Sequence, residues 1–583
     1  MKTLILAEKD NQAEAYAKAL GTYQKVNHIY IIAATPYLEG EVHIVAPEGH
    51  LFEYMDPEDN WNLDKLPLLD FSFKMQLKKG KVYQQRFNRI YREVEWADKV
   101  IIGTDSEREG ERIAYSILSR IPDGIKKISK RIWAQTLSPR GLREAFKNLK
   151  DPSETYDLYL EAEARARSDW LVGMNLSPLV TLALQNQNVL AKGKGNSLSV
   201  GRVQSPTIRL VCENDTKIRQ FQPQLYWKLF LEDKQYQVSF SGAEKFESSE
   251  QALQTARTLD RVAEVLDVVE EDVVKAPPSL FDTASLQSYA SSHLKIDTQQ
   301  SLEILDKLYH EGVLSYPRTG SSYITVDEFD YLVEHISAYK KHLGLPIKVD
   351  YLEPRQTHVD PEKLDEDSHY GLIPTEKLPD LSQLSKEERL IYEAIVKRTL
   401  LMFASNYHGQ TQKVVLGNQG HLFKAQVKRT ISSGWAEWHG TKPKNDVQLL
   451  PYRVGQKINC LSGVQKLSTK PPKRITEAEL FGSVLKKYGL GTPATRTAIF
   501  QKTLDMGYIR RDKKTGQLFP ERKAYVLVNF MYNNEFSNPE TTGGWEDFLH
   551  QIGQGKLEPG EFVDAIKDKL REQVEAVKEG GHF

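Results

Sequence analysis

The stretch Val100-Ile101-Ile102-Gly103-Thr104-Asp105-Ser106-Glu107-Arg108-Glu109-Gly110-Glu111 runs from a short apolar segment straight into a cluster of acids. The apolar part reads as a buried strand, and functional groups gather outside the carboxyl ends of strands in doubly wound sheets. Alternate residues of an extended segment point to one side, so Asp105, Glu107 and Glu109 are expected to converge as hard oxygen ligands for a divalent cation such as Mg²⁺. A helix follows, with Ile113, Ala114, Ile117 and Leu118 as its apolar stripe; its positive N-terminal end also favours acids for purely structural reasons. A second apolar run, Leu4-Ile5-Leu6-Ala7, closes on Glu8 and brings another carboxylate to the equivalent place.

At 583 residues the chain has the length of about four domains. Its net charge of −1 gives no global pull toward nucleic acid or membrane, so any polyanion site must be local. Two cysteines, Cys212 and Cys460, supply neither a disulfide framework nor a thiolate zinc module. No apolar stretch approaches the ~18 residues of a membrane span, and the first apolar run is broken too early for a signal peptide, so a cytoplasmic protein is expected.

Residues 1–150 alternate apolar runs with helical patterns, as in an α/β domain. Residues 151–215 read as helical, 216–278 as strands, 279–401 as helical, 402–469 as strands, and 470–583 as a helical tail with Phe562, Ile566, Leu570 and Val574 on one face. Ala276-Pro277-Pro278 and Thr469-Lys470-Pro471-Pro472 mark breaks. The strand-rich segments flank the 279–401 block, so they are expected to form one domain interrupted by an insertion, with the outer helical segments paired likewise. Two acid-free stretches, Phe71–Arg92 and Leu461–Ile475, interleave basic and aromatic or apolar residues; they fit either a phosphate-backbone track or an ordinary solvated face.

A second chemical centre is Leu314-Ser315-Tyr316-Pro317-Arg318-Thr319, between a helix presenting Leu302, Leu305 and Leu308 and one opened by Thr325 and Glu328 as a capping box. Proline biases Tyr316 toward an extended backbone. A phenol with an ordinary pKa of ~10 needs neighbouring positive charge or a base to attack phosphorus, and a guanidinium can hold phosphate oxygens bidentately. By itself, Tyr-Pro-Arg is equally a loop anchor.

Glu8-Lys9, the Thr104–Glu111 cluster, Ser199–Thr207, Ser315–Thr319, Ser368–Thr375 and Gly491–Arg496 occur in this order. Together they resemble the type IA DNA topoisomerases, and Glu8-Lys9 is similar to their topoisomerase III branch. Gly49-His50-Leu51, Ala164–Gly173, Pro277–Gln287 and Gly543-Gly544-Trp545-Glu546 extend the resemblance over essentially the whole chain.

The resemblance implies a multidomain protein of α/β, α and β parts: a Toprim domain with a toroidal type IA core. It assigns 1–150 to Toprim, 151–215 with 470–583 to a helical DNA-binding domain, 216–278 with 402–469 to a β-rich arch, and 279–401 to an inserted helical domain carrying the tyrosine. It implies an isomerase in which Tyr316 cleaves single-stranded DNA through a transient 5′-phosphotyrosyl bond, another strand passes, and the break is resealed.

By the same resemblance, Arg318 and Lys9 would meet the scissile phosphate, Glu8 would act as general acid and base, and His369 would lie near the tyrosine. Glu8, Asp105, Glu107 and Glu109 would serve Mg²⁺, with Mn²⁺ as an alternative; Arg165, Asp169, Arg202, Gln204, Thr495 and Arg496 would bind the strand. His369 could equally serve as a structural histidine. No ATP is expected, because the phosphotyrosine conserves the bond energy and no G-x-x-x-x-G-K-[S/T] loop occurs; Lys192-Gly193-Lys194-Gly195 lacks that spacing. No zinc is expected either, since the cysteine-rich C-terminal modules of many relatives have no counterpart. Expected partners are single-stranded, negatively supercoiled or catenated DNA, no membrane, and a helicase or single-strand-binding protein as a candidate; the expected state is a monomer at nucleoid or plasmid.

Three departures from the family pattern stand out: Glu107 and Gly320 stand where aspartate is usual, and Tyr370-Gly371 differs after the histidine. Two rival readings are a single-strand-binding clamp without cleavage and a Toprim nuclease or primase-like enzyme using the carboxylates alone.

Overall fold

The computed structural model describes residues 1–58, 60–70, 72–193, 195–364, 369–439 and 448–579. Phe71, Lys194, Ser368 and Gly580-Gly581, which figure in the stretches above, lie outside them.

The N-terminal sheet orders its strands Gln24–Val26, Ile29–Ile32, Glu41–Val45, Lys2–Ala7, Lys99–Gly103 and Ile128–Arg131. The last four run parallel. Strand Lys2–Ala7 is central and buried on both sides: Ile5 and Ala7 enter one core, Leu4 and Leu6 the other, which is why it reads as an unbroken apolar run. Ala7 pairs with Gly103, so Glu8 and Thr104-Asp105 leave neighbouring strands at the same edge.

A closed barrel follows, in the order Ser239–Gly242, His421–Ser432, Tyr407–Asn418, Val262–Lys275, Lys457–Ser468 and Leu225–Asp233. A ladder of eleven pairs joins Val262–Lys275 to Tyr407–Asn418 across the intervening helical block. That block has its own core, from Leu280 to Phe403. Another core joins helices Tyr156–Asn186 and Gln204–Arg219 to Pro539–Gly553 and Pro559–Lys578, with Phe562, Ile566, Leu570 and Val574 buried in it. Among the described residues, no helix is long and apolar enough to cross a membrane.

Two local expectations fail. Thr325 does cap the helix Val326–Leu343 by accepting from the Glu328 amide, but no reciprocal bond from Glu328 completes a capping box; its carboxylate faces Arg140 at 3.9 Å. The extended alternation after Gly103 ends at Glu107, because the helix already starts at Arg108. Glu109 is therefore a helical residue and points elsewhere.

Candidate active site

Glu8 and Asp105 are tied to each other through the backbone and one glutamine. The Asp105 amide donates to Glu8 Oε2 at 3.3 Å. Gln12, in the first turn of the helix Asp10–Leu20, accepts from the Glu8 amide at 2.7 Å and donates to Asp105 Oδ1 at 3.0 Å. From below, Arg131, fully buried, donates to the carbonyls of Thr104, Ile132 and Asp105 at 2.7, 2.5 and 2.7 Å and to Glu111 Oε1 at 2.5 Å. Gly110 is required here: a Cβ would sit 2.0 Å from the Asp105 carbonyl oxygen.

The tyrosine arrives from the inserted block. The Ser315 amide donates to Ile373 O at 3.0 Å, and the Tyr316 amide donates to Gln135 O at 2.9 Å, so the segment is held between that block and the edge of the parallel sheet. Tyr316 is 1% exposed, and its hydroxyl is buried beside the Glu107 carboxylate, which is its hydrogen-bonding neighbour. Burial, then Glu107 and Asp105, push the phenol well above its ordinary value, while Arg318 opposes them. Arg318 reaches Glu107 Oε1 at 3.5 Å and Asp105 Oδ2 at 3.8 Å through Nη1, and Asp306 Oδ2 at 3.2 Å through Nη2. The His369 ring lies 4.1 Å from that of Tyr316, centroid to centroid.

Burial first, then Asp105, pushes the Glu8 carboxyl up to about 8. Glu107 is raised as well, again by burial first, with Arg318 pulling it down. Desolvated acids that repel one another form a site short of positive charge. Among the described residues no three acid, histidine or cysteine side chains form a ready cage, but Mg²⁺ keeps several waters and takes only one or two carboxylates directly. Glu8, Asp105 and Glu107 fit such an ion. Glu109 does not join them: it pairs with Arg165 and with His50 Nε2 at 3.1 Å, and the Arg165 charge and the His50 hydrogen bond hold it well below the usual carboxylate range against the effect of burial.

A groove of about 520 Å³ brings together Asp169, Arg202 and Gln204, with Trp61, Trp170 and Lys502 also lining it. Arg202 pairs with Asp169 at 2.9 Å and with Glu546 at 2.7 Å. Arg165, Thr495 and Arg496 are not in its lining; Thr495 Oγ1 accepts from the Thr492 amide at 3.1 Å, and Arg496 Nε donates to Leu490 O at 2.8 Å. Of the departures, Gly320 has room, its nearest neighbour to a Cβ being Pro493 Cγ at 3.8 Å, whereas Gly371 is tightly packed against Leu280 and Ser322. Arg131, Gln12, Asp306 and His310, which lies 3.2 Å from Lys9 Nζ, escape the sequence reading. Asp306 and His310 offered a signal, the i,i+4 spacing of an acid and a histidine on one helix.

A DNA topoisomerase family model matches residues 153–564 and a Toprim domain model residues 3–135. DNA topoisomerase 3 of Staphylococcus aureus (strain MRSA252) is 29% identical over 612 aligned positions, covering 99% of this chain and 82% of the relative. DNA topoisomerase 3 of Bacillus cereus (strain ATCC 14579) is 29% identical over 632, with the same coverage. The solved structure of full-length topoisomerase I from Thermotoga maritima superposes with a TM-score of 0.73 at 22% identity, over 98% of this chain and 90% of that one. The chain belongs to the type IA DNA topoisomerases, with a Toprim domain at its N-terminal end and a full-length likeness to their topoisomerase III branch.

Proposed function

We propose that the chain cleaves single-stranded DNA through Tyr316, passes another strand through the break and reseals it, relaxing negative supercoils or unlinking catenated DNA without ATP. One observation carries this reading: the Tyr316 hydroxyl is buried beside Glu107, in the field of Arg318 and of the acids that end two neighbouring strands.

In this reading the Tyr316 hydroxyl passes its proton to the Glu107 carboxylate beside it, its oxygen attacks phosphorus, and the bond to the leaving 3′-oxygen breaks. Glu8, with its carboxyl raised to about 8, carries a proton at neutral pH for that oxygen and takes it back on resealing. Arg318 and Lys9 grip the phosphate oxygens, and His369 fixes the direction of the phenol. Asp105 and Glu107, with Glu8, would hold Mg²⁺ or Mn²⁺, which when bound supplies the positive charge that the crowded acids and the phosphate lack. The strand follows the groove of Asp169, Arg202 and Gln204, where Trp61 and Trp170 offer faces for bases; Arg165, Thr495 and Arg496 support that path from outside its lining.

The five cores, two of them on either side of the N-terminal sheet, favour the domain division 1–150, 151–215 with 470–583, 216–278 with 402–469, and 279–401. A monomer acting in the cytoplasm on nucleoid or plasmid DNA, beside a helicase or single-strand-binding protein, suits this activity. Incubation with negatively supercoiled plasmid and Mg²⁺, without nucleotide, is expected to give relaxed products. Tight single-strand binding with no change in linking number would favour a clamp instead.

A further inference from the structure

The helix Thr298–His310 ends six residues before Tyr316 and places Asp306 and His310 one turn apart on a single face. Each holds one of the two cations assigned to the phosphate. Asp306 Oδ2 accepts from Arg318 Nη2 at 3.2 Å. His310 Nε2 lies 3.2 Å from Lys9 Nζ, and since an ammonium can only donate, the ring nitrogen accepts. The proton of the neutral ring then sits on Nδ1, which is buried without a partner. His310 also lies within the field of Arg318 and Asp306 as well as Lys9, so the four groups form one cluster.

We propose that Asp306 and His310 are a positioning pair that sets the spacing of Arg318 and Lys9 for a single phosphodiester, and that His310 does so without cancelling the lysine's charge. The inference rests on the phosphate-gripping role given to Lys9 and Arg318 above. The two anchors differ in kind for a reason. Arg318 already faces Asp105 and Glu107, and Asp306 draws its other nitrogen away from them. Lys9 is a compact point charge on a flexible stem, so a neutral acceptor fixes its direction while leaving its full charge for a phosphate oxygen. An acid at 310 would hold the ammonium as firmly but offset it.

The test is a set of variants in the full chain, read by single-turnover cleavage of a labelled single-stranded oligonucleotide and, in a Tyr316→Phe background, by its equilibrium affinity. Losing a hydrogen bond to a charged group predicts that His310→Leu weakens both by about tenfold or more. His310→Gln, which keeps a neutral acceptor, is expected to restore most of the loss; His310→Glu is expected to bind less tightly than His310→Gln. In a Lys9→Ala background, His310→Leu should add little, because the residue acts through the lysine.

An undiminished effect of His310→Leu without Lys9, or equal affinity of the Glu and Gln variants, would overturn the proposal. If His310→Leu does not fold, the Glu and Gln variants decide between the outcomes alone. Absence of any covalent adduct from the wild type would count against the cleavage reading, while the affinity arm would still judge the pair.

Discussion

The imidazole of His369 lies against the phenol ring of Tyr316, with centroids 4.1 Å apart and planes inclined by 33°. Its Nδ1 bonds Gln135 Oε1 at 2.5 Å, on the same residue whose carbonyl receives the Tyr316 amide. Burial pushes this histidine down to about 3, so it meets the tyrosine as a neutral ring. Its proton is taken up only far below the range in which an ordinary histidine titrates.

Cleavage by wild type and by His369→Gln is therefore expected to show parallel pH profiles between about pH 5 and about pH 7, where an unperturbed histidine would titrate. His369→Ala, which leaves the ring unsupported, should slow single-turnover cleavage by about tenfold or more. A step near the ordinary histidine value that disappears in His369→Gln would contradict a purely orienting role.

Glu8 gives a pH prediction of the opposite kind. Its folded value, about 8, lies above the ordinary 4.5, so the folded state keeps a proton that the unfolded state releases, and the carboxyl costs increasing stability as pH rises between the two. Glu8→Gln is expected to melt at the same temperature as wild type near the lower value and at a higher one near the upper value, in metal-free buffer. Its cleavage should be severely impaired at every pH. Equal melting temperatures across the range would show that the carboxyl is not held protonated.

Gly110→Ala tests the backbone that carries Asp105. A methyl group 2.0 Å from the Asp105 carbonyl must displace that turn. The variant should require more Mg²⁺ for relaxation and lose about 1–3 kcal/mol of stability to overpacking. Its affinity for a single strand should fall less than its relaxation rate, because Arg108, two residues away, meets the groove's Arg202 only through Glu546; a binding titration checks this.

Glu546 joins Arg202 at 2.7 Å and Arg108 at 3.7 Å. Removing it leaves Arg202, whose side chain is 1% exposed, with only the half-exposed Asp169. Loss of one member of a buried pair typically costs about 3–5 kcal/mol, so Glu546→Ala should lower the denaturant midpoint clearly and weaken single-strand binding. An unchanged midpoint would mean that solvent reaches the arginine.

The parts of the fold that were legible in the sequence are those where one side-chain pattern has one physical cause. Leu4–Ala7 and Val100–Gly103 read as strands because both faces are buried, and the acids after them mark the edge where they end. The barrel strands were visible as alternation, but their pairing depends on contacts such as Val265 with Leu416, which no local pattern encodes. Glu109 was misplaced because alternation and helix start overlap at Glu107. Arg131 was invisible: an arginine ending a short strand looks solvated until its three carbonyl partners are seen.

The most direct test of the central claim is to trap the protein on a single strand labelled at its 5′ or at its 3′ end, with Mg²⁺ and no ATP, and to denature it during turnover. The account predicts a covalent adduct that retains the DNA downstream of the break through its 5′ phosphate, abolished in Tyr316→Phe while strand binding persists. An adduct that survives in Tyr316→Phe, or one joined to a 3′ end, would contradict it.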